Sequence, residues 1–370
     1  MKNFLFLFVV YSLMASCSTK TDGSMPETRN ITNEDFKEHR LEYEVLPIEM
    51  TDYVWTISVH DSIAYFFNMV GEELVSIYDL KNNRRAGSAI KIGEGPNELS
   101  GPGPRIQING DKNFAAIFDG NQNTIMVFPL DVLTRVASSD NTSHAFTPFA
   151  KFNCETFNSD MIALDINTFV GLDHGIKTPE VSPRFTFYDR QGNVTAQKGE
   201  YYRTPEMKFP EEMNFFAFLG SLICSNDGEK VVLLNENTDR IELYDRQGDI
   251  IRFIIGPDHF APDVIKITQG NMVERKLGKN GRRAFMFPVA KDGGFWAIYY
   301  GYITFDESIA LRPEDKYTVI LNYDWNGKPL NKYIIQADLR GFDIDENKGL
   351  LYGIILTEEG EQKIIKAKYK

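Results

Sequence analysis

RIELYDRQGDIIRFII, residues 240–255, alternates apolar and polar side chains up to Tyr244, breaks at a YDRQG pentapeptide, and resumes an apolar run at Ile250. Period-two alternation of β-branched and aromatic residues, bounded by Asp and Gly, is the pattern of two strands joined by a tight turn. The same pentapeptide stands at Tyr188–Gly192 inside RFTFYDRQGNVTAQ (184–197), and YDWNG at Tyr323–Gly327 keeps Tyr, Asp and Gly but changes the central pair. A ligand site used twice would tolerate that change poorly. A turn tolerates it well: the Asp caps the backbone and the Gly takes a positive φ. The repeat is punctuation.

Read as punctuation, it exposes a larger repeat. LVSIYDLKNNRRAGSAIKI (74–92) and VILNYDWNGKPLNKYII (319–335) have the same form, and TIMVFPLD (124–131) is a degenerate member followed by a long polar insertion before FAKFN (149–153). Each hairpin is preceded by another strand pair: VWTISVHDSIAYFFN (54–68), RIQINGDKNFAAIFD (105–119), MIALDINTFVGL (161–172), AFLGSLICSNDGEKVVLLN (217–235) and FPVAKDGGFWAIYYG (287–301). Four antiparallel strands recurring every 50–60 residues or so describe a β-propeller. Five complete units fit between Val54 and Gln336, and residues 340–370 supply three more strands without a fourth. The orphan strand LEYEVLPI (Leu41–Ile48) completes that last unit and closes the ring, which removes unpaired edges. The expected fold is all-β: a six-bladed β-propeller of four-stranded antiparallel blades, with seven blades as the competing count.

Antiparallel alternation also sorts the loops. With strands A to D numbered from the axis outward, A–B and C–D turns share one rim, and B–C and D–A connections share the other. The long connections gather on the second rim: Gly93–Pro104, Tyr202–Met213, Pro257–Arg283, His174–Pro183 and Ile303–Tyr317. Asp131–Thr147, a C–D insertion, is the exception. Long loops on a rigid scaffold are where binding residues concentrate. The candidates for ligand or partner binding on that rim are Arg105, Arg184, Tyr201, Tyr202, Arg203, Arg282, Arg283, Phe285 and Tyr302, because arginine and aromatic side chains combine planar hydrogen bonding with large contact area. The plainer alternative is that they pair and pack within the loops.

Other motifs carry less. GEGP (93–96) follows no parallel strand and opens no helix, so it reads as an inter-blade crossing instead of a phosphate loop. DGNQN (119–123) and DIDENKG (343–349) lack the Gly and Glu of a calcium loop at its sixth and twelfth positions. The histidines at 39, 60, 144, 174 and 259 are scattered, and no G-x-S-x-G elbow is present. No catalytic residue, metal or cofactor is assigned. Cys154 and Cys224 read as free thiols; spacing does not show whether they meet.

At the N-terminus, Lys2 precedes the apolar run Phe4–Met14, too short to span a bilayer, which ends in Ala15 and Ser16. MASC (14–17) resembles a bacterial lipobox with Met14 at the leucine position, and the resemblance implies lipidation of Cys17. The expected organisation is a signal peptide at 1–16, a polar tether at 17–39 and a propeller domain at 40–370. Ser18 after the cysteine favours the outer membrane by resemblance to known sorting rules. Loss of residues 1–16 removes only Lys2, taking the formal charge from −12 to −13. An acidic chain without a basic stripe is a poor nucleic-acid binder.

The order of GEGPNEL (93–99), IYYGY (298–302), NYDWNGKPLNKYII (322–335), FDIDENKGLLYGI (342–354) and KIIKAKYK (363–370) resembles the TolB-like six-bladed propeller lipoproteins of Bacteroidetes. That resemblance implies fold and location; it brings no catalytic residues. The functional expectation is a non-enzymatic, monomeric cell-envelope lipoprotein that binds a protein partner or small ligand on the long-loop face. The alternative is a propeller enzyme, a glycan lyase or hydrolase, acting at the mouth of the central channel.

Overall fold

The structure is a computed structural model that describes residues 26–370 apart from 51–52, 102, 104, 140–145, 174–182, 206, 270–271, 312–315 and 358. The signal sequence, Cys17 and most of the 174–183 loop lie outside the described residues. Six four-stranded blades follow one another along the chain, and a separate two-stranded sheet, Val264–Gln269 with Met272–Leu277, lies in the connection between blades 4 and 5. Blade 1 runs through Val54–His60, Ile63–Asn68, Glu73–Asp79 and Arg84–Ile92, and blade 2 through Ile106–Asn109, Phe114–Asp119, Thr124–Pro129 and Ala150–Asn153. Blade 3 comprises Asn158–Ala163, Thr168–Asp173, Phe185–Asp189 and Val194–Lys198; blade 4 comprises Gly220–Cys224, Lys230–Asn235, Arg240–Asp245 and Ile250–Ile255. Blade 5 has Phe285–Lys291, Gly294–Tyr299, Thr318–Tyr323 and Pro329–Ile335. Blade 6 has Leu339–Asp345, Leu350–Leu356 and Gln362–Lys368, and Tyr43–Val45 pairs antiparallel with the last of these as its outer strand. The inner strand of blade 1 packs between the inner strands of blades 6 and 2, so the ring closes.

The core is divided in the same way. Six apolar clusters lie one between each pair of successive blades, such as Phe118 and Val127 of blade 2 against Met161 and Phe169 of blade 3. A blade alone leaves one face wet; stacking buries it, and this couples the stability of each unit to its neighbours.

The YD-x-x-G turns show how local sequence sets this packing. Asp189 Oδ1 accepts from the backbone N–H groups of Gln191 and Asn193, both at 2.9 Å, and Asp245 Oδ1 does the same with Gln247 and Asp249. Asp324 Oδ1 repeats it with Asn326 and Lys328. A β-bulge falls at the preceding Tyr188, Tyr244 and Tyr323 in all three, and each ring is fully buried. The glycines have φ of 85°, 81° and 74°, a region that penalises any Cβ. They also act as spacers: a Cβ at Gly192 would sit 2.8 Å from Phe152 of blade 2, and one at Gly248 would sit 2.7 Å from Phe187 of blade 3.

One boundary is corrected. The stretch read as a tether to residue 39 is part of the propeller from Thr28 onward. Thr28–Asn30 pairs parallel to the outer strand of blade 4, and Lys37–Leu41 pairs parallel to that of blade 5, before Tyr43–Val45 completes blade 6. The chain therefore forms a belt over three successive blades. Ile31 and Phe36 pin it, both buried in the cluster between blades 4 and 5, with Phe36 edge-on to Tyr323 at 5.4 Å. The expected closing strand, Leu41–Ile48, narrows to Tyr43–Val45, extended by a bond from Leu46 N–H to the Ile364 carbonyl.

Candidate functional site

The long-loop rim carries a cleft of about 650 Å³ over blades 1, 5 and 6. Its walls are Tyr53–Trp55 at the start of the blade 1 inner strand, Arg283, Met286 and Phe287 at the start of the blade 5 inner strand, and Tyr300, Tyr302–Phe305, Leu311 and Tyr317 between the second and third strands of blade 5. Lys316, Asp338 and Arg340 complete it from the blade 5 and 6 side. The loop is held by a capping box. Thr304 Oγ1 accepts from Glu307 N–H at 3.2 Å, and the Glu307 carboxylate accepts from Thr304 N–H at 2.8 Å. Phe305 N–H donates to the Gly281 carbonyl at 2.9 Å, which ties this loop to the neighbouring one.

Inside the cleft, Tyr302 stacks on Tyr317 with centroids 5.0 Å apart, and its hydroxyl donates to the Tyr317 carbonyl at 3.1 Å. Arg283 pairs with Glu236 at 2.9 Å and donates to Asn237 Oδ1 at 3.0 Å. Burial lifts the Glu236 carboxyl above its ordinary value, and the Arg283 guanidinium pulls it partly back. Asp338 is held between two cations, Arg340 at 2.9 Å and Lys316 at 3.3 Å. Tyr53 is 52% exposed, Trp55 45% and Phe305 37%, an aromatic surface around one mouth.

Trp55, Glu236, Met286 and Phe287 also line the central channel below, a cavity of about 160 Å³. The channel walls are largely apolar, including Ile57, Ile106, Ile162, Ile223 and Phe342. Two ion pairs cross them: Arg105 with Asp160 at 2.9 Å, and Lys291 with Asp343 at 2.8 Å.

Of the residues expected on the binding rim, Arg283 and Tyr302 line the cleft and Arg105 lies in the channel. The others serve the loops and the core. Arg184 is buried between blades 3 and 4, where its Nη2 donates to the Phe218 carbonyl at 2.9 Å and pairs with Glu242 at 3.3 Å. Tyr201 lies against that guanidinium, 4.6 Å from ring centroid to carbon, and the Tyr202 carbonyl accepts from Arg240 at 2.7 Å. Arg203 caps the carbonyls of Met207 and Phe209 in its own loop. Arg282 donates to the Gly301 carbonyl at 2.9 Å, and Phe285 is fully buried in the core of blade 5. These are corrections. An arginine beside a loop in sequence finds its carboxylate on the next blade, and the first residue of an inner strand points into the inter-blade core.

Sequence reasoning missed Tyr53, Trp55, Tyr300, Phe305, Lys316, Tyr317, Asp338 and Arg340. The available signal was weak: aromatic residues just before an inner strand, and the Tyr-rich IYYGY stretch.

The remaining motifs behave as turns. In GEGP, Glu98 Oε2 accepts from Gly95 N–H at 2.9 Å, and Lys151 of blade 2 donates to the Glu98 carbonyl at 2.6 Å. Asp119 caps Asn121 and Gln122, and Asp345 caps Lys348. Among the described residues, no group of three or more His, Cys, Asp or Glu side chains is placed to hold a metal ion. Cys154 and Cys224 are free; burial raises their thiols to about 12 and about 11.

Comparison with curated proteins returns no match. Among solved structures, a DUF4221-family member from Bacteroides vulgatus aligns over 90% of this chain and 99% of its own, at 13% identity and a TM-score of 0.52. The WD40 repeats of RRP9 align over 89% of this chain and 97% of theirs, at 8% identity and a TM-score of 0.50. At these identities the likeness is one of fold. The sequence itself matches the TolB-like 6-blade propeller-like family over residues 37–347. With six blades closed by an N-terminal strand, the chain belongs to that TolB-like six-bladed propeller family.

Proposed function

We propose that this protein is a non-enzymatic, lipid-anchored component of the cell envelope that binds a protein partner or small ligand in the cleft on its long-loop rim. The observation that carries this reading is the exposure of Tyr53, Trp55 and Phe305 around one concave mouth. Large aromatic side chains left open to water mark interaction surfaces, and a volume of about 650 Å³ suits a small molecule or a short polymer segment. The cleft carboxylates, Glu236 and Asp338, are each engaged by a cation. That favours binding over the hydrolase form of the rival reading, which relies on a carboxyl free to exchange a proton with substrate.

Export and anchoring rest on the apolar run Phe4–Met14 and on MASC at 14–17. Two or more acyl chains at Cys17 give stable attachment, and Ser18 favours the outer membrane. Trp55→Ala with Phe305→Ala is expected to abolish crosslinking of the natural partner in intact cells while the circular dichroism of the sheet is unchanged. Undiminished crosslinking refutes the site. Cys17→Ala is expected to move the protein into the soluble fraction, and continued membrane retention refutes the anchor.

A further inference from the structure

We infer that the rim cleft takes a peptide in which an aromatic or large aliphatic side chain lies beside a single carboxylate. This rests on the reading above that the cleft is the binding site, and it names the class of occupant.

Gln362 is the one side-chain amide among the described lining residues, and it is spent twice on one residue: its oxygen accepts from Val54 N–H and its nitrogen donates to the Val54 carbonyl, both at 2.8 Å. Tyr302 and Tyr300 donate to the carbonyls of Tyr317 and Leu339, and Thr304 is consumed by its capping box. Sugars are recognised through paired donors and acceptors that grip vicinal hydroxyls. Among the described lining residues the side chains of Gln362, Tyr300, Tyr302 and Thr304 are already engaged within the protein, and Ile303 and Leu356 add aliphatic surface that sugars do not seek.

What remains is apolar area and charge. Among the described lining residues, three cations, Arg283, Lys316 and Arg340, face two carboxylates, Glu236 and Asp338. Arg283 is matched by Glu236, whereas Asp338 is shared by Lys316 and Arg340, which leaves one positive charge in excess beside Tyr300. A ligand carboxylate placed there completes an alternating array, and bidentate pairing to a guanidinium is a strong form of that contact. The apolar side continues outward from Trp55 through Tyr53 to Met69, whose N–H donates to the Tyr53 carbonyl at 2.8 Å, and Met69 is itself exposed. The occupant thus needs apolar bulk and one negative charge. A polyanion is disfavoured, because the chain as a whole carries −12 and the described lining residues leave a single positive charge unmatched.

The test is a ligand-observed NMR titration of the Cys17→Ala protein. The probes are Ac-Gly-Phe-Asp-Gly-NH2, its Asn and Lys counterparts, and a trisaccharide of galacturonate. The Asp peptide is expected to bind roughly tenfold more tightly than the Asn peptide, as loss of a charge-assisted contact implies. Arg340→Gln is expected to erase that difference without changing the Asn peptide's affinity, and Trp55→Ala to weaken both. Equal binding of the Asp and Lys peptides, or silence from every peptide, overturns the inference. Binding of the galacturonate probe that is lost in Trp55→Ala overturns the peptide class but keeps the site. Partner crosslinking that survives Trp55→Ala and Phe305→Ala removes the site itself.

Discussion

Replacing Glu242 with Gln tests how blades 3 and 4 are joined. Glu242 is fully buried and faces four groups: Arg240 at 2.7 Å, Arg184 from blade 3 at 3.3 Å, the Asn235 amide, which donates to Oε1 at 3.1 Å, and the Tyr244 hydroxyl, which donates to Oε2. Burial alone would raise this carboxyl. The two guanidiniums outweigh it and hold the group at about 2, below its ordinary 4.5. At 1.36 kcal/mol per pH unit the difference corresponds to about 3 kcal/mol of coupling. Glutamine preserves the shape but leaves two buried guanidiniums without a counter-charge, a loss of roughly 3–5 kcal/mol in comparable cases. The unfolding entropy of a propeller this long, about 2.1 cal/mol/K per residue, turns that into a Tm lower by about 4–7 °C. Differential scanning calorimetry at pH 7 reads the shift. The sign in pH follows from a depressed folded value: the contribution is complete above about 4.5 and is lost as pH falls toward 2. The wild-type protein should therefore lose stability over that window more steeply than Glu242→Gln. A variant within 1 °C of wild type at pH 7, with parallel acid limbs, refutes the reasoning.

Burial raises Asp239 to about 7 from 3.8, although its Oδ2 accepts from the N–H groups of Asp258 and His259. Stability tied to its neutral form is present below about 3.8 and lost as pH rises through 7, so Asp239→Asn should stabilise the fold at pH 8 by up to about 4 kcal/mol. Urea midpoints at pH 5 and 8 check this, and an equal effect at both contradicts it. Gly327→Ala places a Cβ against Ile254 of blade 4 at a φ of 74°; a loss of about 2–4 kcal/mol is expected from overpacking and left-handed strain, measured by urea denaturation. Deleting residues 26–41 removes the buried Ile31 and Phe36, each contributing about 1.5–3 kcal/mol, and should lower the urea midpoint and expose the outer strands of blades 4 and 5 to proteolysis. Cys154 and Cys224, raised to about 12 and about 11, should resist a thiol reagent at pH 8 until the protein is unfolded.

The blade count was legible because each hairpin carries its own local chemistry. Asp189, Asp245 and Asp324 cap residues within four positions along the chain, and the glycines after them report a positive φ that few other residues accept. The belt was not legible. An added edge strand is held mainly by backbone hydrogen bonds, and between Thr28 and Leu41 only Ile31 and Phe36 are buried large apolar residues, which makes no period. The site was legible in part for the same reason. Which rim carries the long loops follows from strand order alone. Whether an arginine on that rim faces water depends on a carboxylate far away in sequence, as Arg184 depends on Glu242, and no spacing rule reports it.

A photo-crosslinking amino acid placed at Phe305, with Gln247 on the short-turn rim as control, tests the central claim in intact cells. The prediction is a discrete adduct from position 305, lost on Trp55→Ala, and none from position 247. An adduct from position 247 with none from 305 contradicts it and places the partner on the opposite rim.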